Sequence, residues 1–307
     1  MYAELSNILH NEYNEILNSS EFSDTEILIG EEPNKKVFKA HSLILKIRSP
    51  YFRTALSDNW IRIENNVIKL QKPNISVEVF DIIINSIIDL SGNDIKTNIA
   101  LLIAADELCL NSLCDFIEEH LLINEVLLKK NFILIQSVAC QFTQFNRLVQ
   151  FYNISFQQEP SLIFKADDFT AIKQEILLII LVKNDFSESP IEVWDKLLEW
   201  CIAQSDDKLP SDFTKWTENE ILIFKSLIQP FIPHIDFKNI SPADFFHKIK
   251  PLKNIFEDGF YIKILEYYSF YAFRSRPIYR RQQSSRYSIV PVKPVRRRLI
   301  KEIINIF

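Results

Sequence analysis

Glycine is nearly missing from this chain. Its 307 residues hold three, Gly30, Gly92 and Gly259. That scarcity excludes glycine-rich phosphate loops and argues against turn-dense all-β architectures, because both need residues free to adopt left-handed backbone. Cysteine is sparse too. Cys109, Cys114, Cys140 and Cys201 lie in apolar helical stretches without zinc-finger spacing, and they read as buried, reduced thiols. The longest apolar run, Ile176 to Val182, falls far short of the ~20 residues a membrane span needs. No basic region followed by an apolar core opens the sequence, so no signal peptide is expected. A protein of the cytoplasm or nucleus is the expectation. Catalytic signatures are absent as well: there is no GxGxxG, GxxxxGK, HExxH or GxSxG, and the five histidines show neither ligand nor triad spacing. We therefore expect no enzyme, no cofactor, no metal site and no membrane partner. His41 reads as a structural residue at a strand-to-helix turn.

Apolar side chains are abundant. Hydrophobic residues make up 47% of the chain, enough to build real cores and to exclude a mainly disordered protein. The net charge of −5 is unevenly placed. From Arg274 onward there are ten Lys and Arg against one acid, Glu302, so the preceding 273 residues carry a net −14.

Periodicity organises the body. Leu5, Ile8, Leu9, Tyr13 and Ile16 fall on one face of an opening helix, which docks either on its own domain or on a second copy of the chain. Ile27–Ile29 and Lys36–Ala40 read as a hairpin joined by the turn Gly30–Asn34, and Val67–Leu70 as a third strand. Ser49 is a good helix cap with Pro50 at the first helical position. Helices are expected from Ser76 to Leu90, with an apolar stripe of Phe80, Ile83, Ile84, Ile87 and Ile88, then around Leu101–Leu108, then from a cap at Asn111. Residues 124–273 carry only helical signals. Ser189-Pro190-Ile191-Glu192 and Thr217-Glu218-Asn219-Glu220 are capping boxes, and Ser241-Pro242-Ala243-Asp244 is a variant with Asp as the reaching carboxylate. Trp194, Leu197, Leu198 and Cys201 are core positions of the helix that follows the first box. Residues 274–307 form a basic, proline-punctuated arm, and Leu299–Phe307 reads as a short helix or an element that needs a partner.

Three segments carry a family likeness: Asp24-Thr25-Glu26-Ile27-Leu28-Ile29, then Phe38-Lys39-Ala40-His41-Ser42, then Arg48-Ser49-Pro50-Tyr51-Phe52. With Ala104–Leu110 and Leu113–Ile117 as the last two core helices, the stretch resembles a BTB (POZ) domain. Asp168-Phe169, Val193–Trp200, Ser241–Phe245 and Lys248–Pro251 are similar to pieces of the BACK domain that often trails it, as in fungal BTB–BACK proteins. No stretch resembles the kelch or TLD domain that often comes next. The resemblance implies an α+β BTB domain over residues 1–123, with a small mixed sheet flanked by helices. It also implies an all-α BACK domain over 124–273, before the tail at 274–307. It further implies a homodimer held through Leu5, Ile8, Leu9, Tyr13 and Ile16. The activity it suggests is that of a protein–protein interaction adaptor, which presents an unknown substrate protein to a cullin-3 ubiquitin ligase through Phe52, Leu56, Asp89 and Leu90; the alternative for Phe52 and Leu56, which with Ala55 form the inner face of their helix, is that they are core. Two departures stand out. Ser91–Lys96 replaces the family's strand before the next helix, and Ser42 stands where transcription-factor relatives place an Arg opposite the residue matching Asp24. The alternative is a nuclear or nucleic-acid scaffold acting through Arg280, Arg281, Arg296, Arg297 and Arg298, since a basic arm binds phosphates by counterion release.

Overall fold

A computed structural model describes residues 15–16, 19–57, 62–84, 88–183, 186–206 and 208–274, with side chains placed as far as Ser269. The chain divides into two units, Met1–Leu127 and Leu128–Phe307.

In the first unit β1 (Thr25–Ile29) and β2 (Lys36–Ala40) form the hairpin, and α1 (Ser42–Arg48) and α2 (Pro50–Ala55) follow it. Next come β3 (Arg62–Glu64), β4 (Val67–Lys72), α3 (Val77–Ile84), α4 (Ile95–Glu107) and α5 (Asn111–Ile123). The strand order is β2-β1-β4-β3, with β1 parallel to β4 and the two outer pairs antiparallel. The sheet is therefore mixed. Alternation sets its faces: Ile27 lies opposite Phe38 on one side and Leu70 on the other, and Ile27, Ile29 and Phe38 are buried. Phe38 meets Phe80 of α3 edge-on at 5.0 Å. Gly30 closes the hairpin at φ +80°, where a Cβ would lie 2.4 Å from the Asn34 carbonyl oxygen, so this turn needs glycine.

Ser49 does two jobs. Its Oγ accepts from the Phe52 N–H at 3.1 Å, capping α2, and donates to the Leu108 carbonyl at 2.6 Å, tying α2 to the end of α4. Arg48 crosses to α3 and donates to the Ile83 and Ile84 carbonyls at 3.1 and 3.2 Å. It thus pairs two of the carbonyls a helix C-terminus leaves open.

Four expectations need correction. A fourth strand, β3, exists, and it escaped notice because Arg62-Ile63-Glu64 holds a single apolar residue. The helix expected to reach Leu90 is described to Ile84, and residues 88–90 are not helical. Asn111 sits inside α5 rather than capping it, with Leu110 at the cap position. The cysteines are all free, but only Cys140 and Cys201 are buried. Cys114 is half-buried, and Cys109 is exposed at φ +54°. Cys109 occupies the left-handed position just past α4, where its N–H bonds the Asp106 carbonyl and that of Leu110 bonds Ala105. That is the bond pattern of a Schellman stop.

Among its described residues the second unit holds helices joined by turns and loops, and no strand. Its helices are α6 (Glu125–Lys130, which carries the boundary), α7 (Phe132–Gln141), α8 (Asn146–Gln158), α9 (Leu162–Lys165) and α10 (Gln174–Lys183). They continue as α11 (Pro190–Ala203), α12 (Glu218–Ile228), α13 (Pro242–Asp244) and α14 (Asp258–Arg274). Ser189–Glu192 and Thr217–Glu220 form their capping boxes, the Glu carboxylate in each accepting the backbone N–H and hydroxyl of the cap residue. Asp168 caps α7 from a distant loop, accepting from the Ile133 and Leu134 N–H groups at 3.1 and 2.8 Å. Burial nevertheless raises its pKa, outweighing those two bonds.

Candidate interaction surface

Asp24, just before β1, holds the start of α1. Its carboxylate accepts from the Ser42 N–H at 2.6 Å, the Ser42 hydroxyl at 2.5 Å and the Thr25 hydroxyl at 3.1 Å. Burial opposes the charge, but the Ser42 bonds outweigh it and keep the carboxyl below its ordinary pKa. Ser42 thus closes the site with neutral donors. His41 adds a second tie: its Nε2 lies 2.6 Å from the Glu21 carbonyl oxygen, which only accepts, so this nitrogen carries the proton.

A folded pKa below the unfolded value stabilises at pH above the ordinary carboxylate range and is lost as pH falls through it. Asp24→Asn is therefore expected to cost about 1 kcal/mol near pH 7, in line with a lost helix cap. The gap from wild type should close as pH drops toward 3, measured by urea unfolding across that range.

These contacts fix how α1 presents itself. Leu45 turns into the core, while Leu43 and Ile47, one turn apart, are 68% and 69% exposed. Phe22, at φ +58° in the segment tied to His41 through Glu21, is 92% exposed. Ile16 is exposed as well. Sequence reading missed Leu43 and Ile47. Their signal was the run Leu43-Ile44-Leu45-Lys46-Ile47, which has more apolar residues than one buried face of a short helix can use. Leu5, Ile8, Leu9 and Tyr13 lie outside the described residues, as do the tail arginines Arg280, Arg281, Arg296, Arg297 and Arg298.

The four residues expected at a cullin surface are differently placed. Phe52, Leu56 and Leu90 are buried in the first unit, and only Asp89 is exposed. The physical reason is that α2 and the 88–90 segment supply apolar side chains the small sheet needs for its core. The segment after Leu90 is held internally. Asn98 donates to the Leu90 carbonyl at 3.2 Å, Asp89 accepts from the Ser91 N–H at 2.9 Å, and Asp94 caps α4 through the Thr97 N–H at 2.7 Å.

Residues 13–125 match the family model of the BTB/POZ domain. The chain carries a BTB domain. The match covers the sheet and α1–α5, ending at the first residue of α6. No curated protein matches the chain. BTB domains are generally interaction modules rather than enzymes, and they commonly self-associate and bind partner proteins. A protein–protein interaction role follows for this one. Among the described residues no group of His, Cys, Asp and Glu is arranged to hold a metal ion, and no helix is long and apolar enough to cross a membrane.

Proposed function

We propose that the protein is a homodimeric adaptor in which the BTB domain pairs through the outer face of α1, joined by the opening helix with Leu5, Ile8, Leu9, Tyr13 and Ile16. The observation that carries this reading is the exposed trio Phe22, Leu43 and Ile47. Such side chains gain roughly 25 cal/mol per Å2 when covered, and a self-complementary patch makes a closed dimer. We read residues 124–273 as a BACK domain that positions a substrate protein, and the assembly as a cullin-3 ligase adaptor of the fungal BTB–BACK kind, working in the cytoplasm or nucleus.

Capture by a cullin-3 N-terminal fragment tests the ligase part. Asp89→Lys is the informative variant, because Asp89 is exposed and its loss leaves the core intact. Wild type should be retained and Asp89→Lys reduced several-fold. A wild type that passes through unretained removes the cullin assignment and leaves the dimeric adaptor standing.

The charge run from Arg274 to Lys301 favours a second reading, a nuclear scaffold that binds nucleic acid through its tail. Salt-sensitive binding of duplex DNA by the full chain, abolished by Arg296→Ala, Arg297→Ala and Arg298→Ala together, is its signature.

A further inference from the structure

Between α13 and α14 the backbone makes one π-helical turn, Phe245–Ile249, closed by the Lys250 N–H on the Phe245 carbonyl, and then tightens into the 3-10 segment Lys250–Ile255. Such π turns recur at functional sites. Here the turn buries Phe245 and Ile249 and leaves Phe246 outside, 55% exposed. The Lys250 ammonium lies over the Phe246 ring, 4.1 Å from its centre, and His247 meets the same ring edge-on at 5.5 Å. Lys250, Pro251, Lys253 and Asn254 are exposed as well. Residues 245–256 contain three lysines and no acid. Lys248 is paired with Asp195, whereas Lys250 and Lys253 have no carboxylate partner among the described residues. Acids stand only at the two ends of this stretch. Asp244 accepts from the Ser241 hydroxyl at 2.6 Å, and Glu257 and Asp258 come where α14 opens. They bound a cationic footprint over residues 246–254.

An exposed ring beside two unpaired cations takes a ligand that is apolar at one point and anionic next to it. A single-stranded nucleic acid would want successive rings on which its bases stack, and Phe246 already carries a lysine over its face. An acidic peptide needs only what is present. One apolar side chain covers Phe246 and Pro251, and neighbouring carboxylates take Lys250 and Lys253 into charge-assisted hydrogen bonds. The geometry points to this surface as the place where the second unit holds a partner protein, through a segment with a large apolar residue and Asp or Glu beside it. The inference rests on reading residues 124–273 as the part that positions a substrate protein, and it is independent of the dimer and cullin assignments.

A phage-displayed library of random peptides, selected on the full-length protein, tests the assignment. Enriched peptides should carry Asp or Glu next to an aromatic or long aliphatic residue. A synthetic peptide of the consensus sequence should bind wild type and lose about tenfold in affinity on Phe246→Ala, the loss of one aromatic contact. Lys250→Glu with Lys253→Glu should lose more, Lys250→Arg with Lys253→Arg should keep binding, and raised salt should weaken it. The substituted side chains are exposed, and circular dichroism checks that each variant is folded. Acidic peptides that bind every variant like wild type place the substrate elsewhere and overturn this surface alone. Enriched peptides without acids overturn it too, as does retention of single-stranded oligothymidine that the two lysine-to-glutamate changes abolish. Failure to enrich any peptide overturns it together with the substrate-positioning role of residues 124–273.

Discussion

Replacing Leu43 and Ile47 together by glutamate is expected to turn the proposed dimer into a folded monomer. Both side chains are more than two-thirds exposed, so the single chain loses little by the change. In the dimer each would forfeit roughly 1.5–3 kcal/mol of apolar burial and would bring a charge into a shielded seam. Both protomers carry the changes, so the combined penalty exceeds about 4 kcal/mol and weakens self-association more than roughly a thousandfold. Light scattering across a micromolar concentration series reads this directly: wild type holds twice the chain mass, and the double variant holds one. A wild type that already runs at one chain mass would end the dimer proposal, because no described residue covers Phe22, Leu43 and Ile47. Thermal unfolding of the variant close to wild type, extrapolated to low concentration, separates lost association from lost folding.

The α1 face shows where sequence pattern succeeds and where it stops. The apolar runs Ile27–Ile29 and Lys36–Ala40 on either side of the Gly30–Asn34 turn were enough to place both strands, although β1 begins two residues earlier, at Thr25. The caps at Ser189 and Thr217 were legible for a local reason: a hydroxyl and a carboxylate three residues apart have few other ways to satisfy the first turn, and Ser49 was legible from the proline that follows it. The end of α3 was not legible. Ile87 and Ile88 continue the helical stripe in sequence, yet by Leu90 the backbone has left the helix and its carbonyl is taken by Asn98 across the fold. The candidate site divided the same way. An apolar residue in a helix says that something covers it, but not whether the cover is the chain's own core or another protein. Phe52, Leu56 and Leu90 took the first course, whereas Leu43 and Ile47 remain open. Leu56→Asp would accordingly report unfolding rather than lost binding, since it places a carboxylate in a site 1% exposed.

The largest effect on stability is expected at Trp194. The residue lies in the second turn of α11, two positions past the Ser189–Glu192 box, and is completely buried. Phe224 and Phe237 meet its ring edge-on at 6.1 and 5.9 Å, and Phe256 stacks on it at 6.4 Å. It thus joins α11 to α12 and to the irregular segment between α12 and α14. Truncation to alanine empties a volume that three aromatic rings cannot collapse to fill, at a cost of about 3–5 kcal/mol. Urea denaturation followed by tryptophan-independent circular dichroism measures it. The partner experiment is Trp200, also buried, whose indole N–H donates to the Ile172 carbonyl at 2.9 Å. Trp200→Phe keeps most of the apolar contact but strands that carbonyl, adding about 1–3 kcal/mol to the packing loss. Trp194 Nε1 makes no such bond to the protein. Trp194→Phe is therefore expected to be the milder of the two phenylalanine substitutions, even though Trp194→Ala is the severe one. An equal cost for both phenylalanine variants would mean that ring volume, and not the hydrogen bond to Ile172, sets the stability of this helical unit.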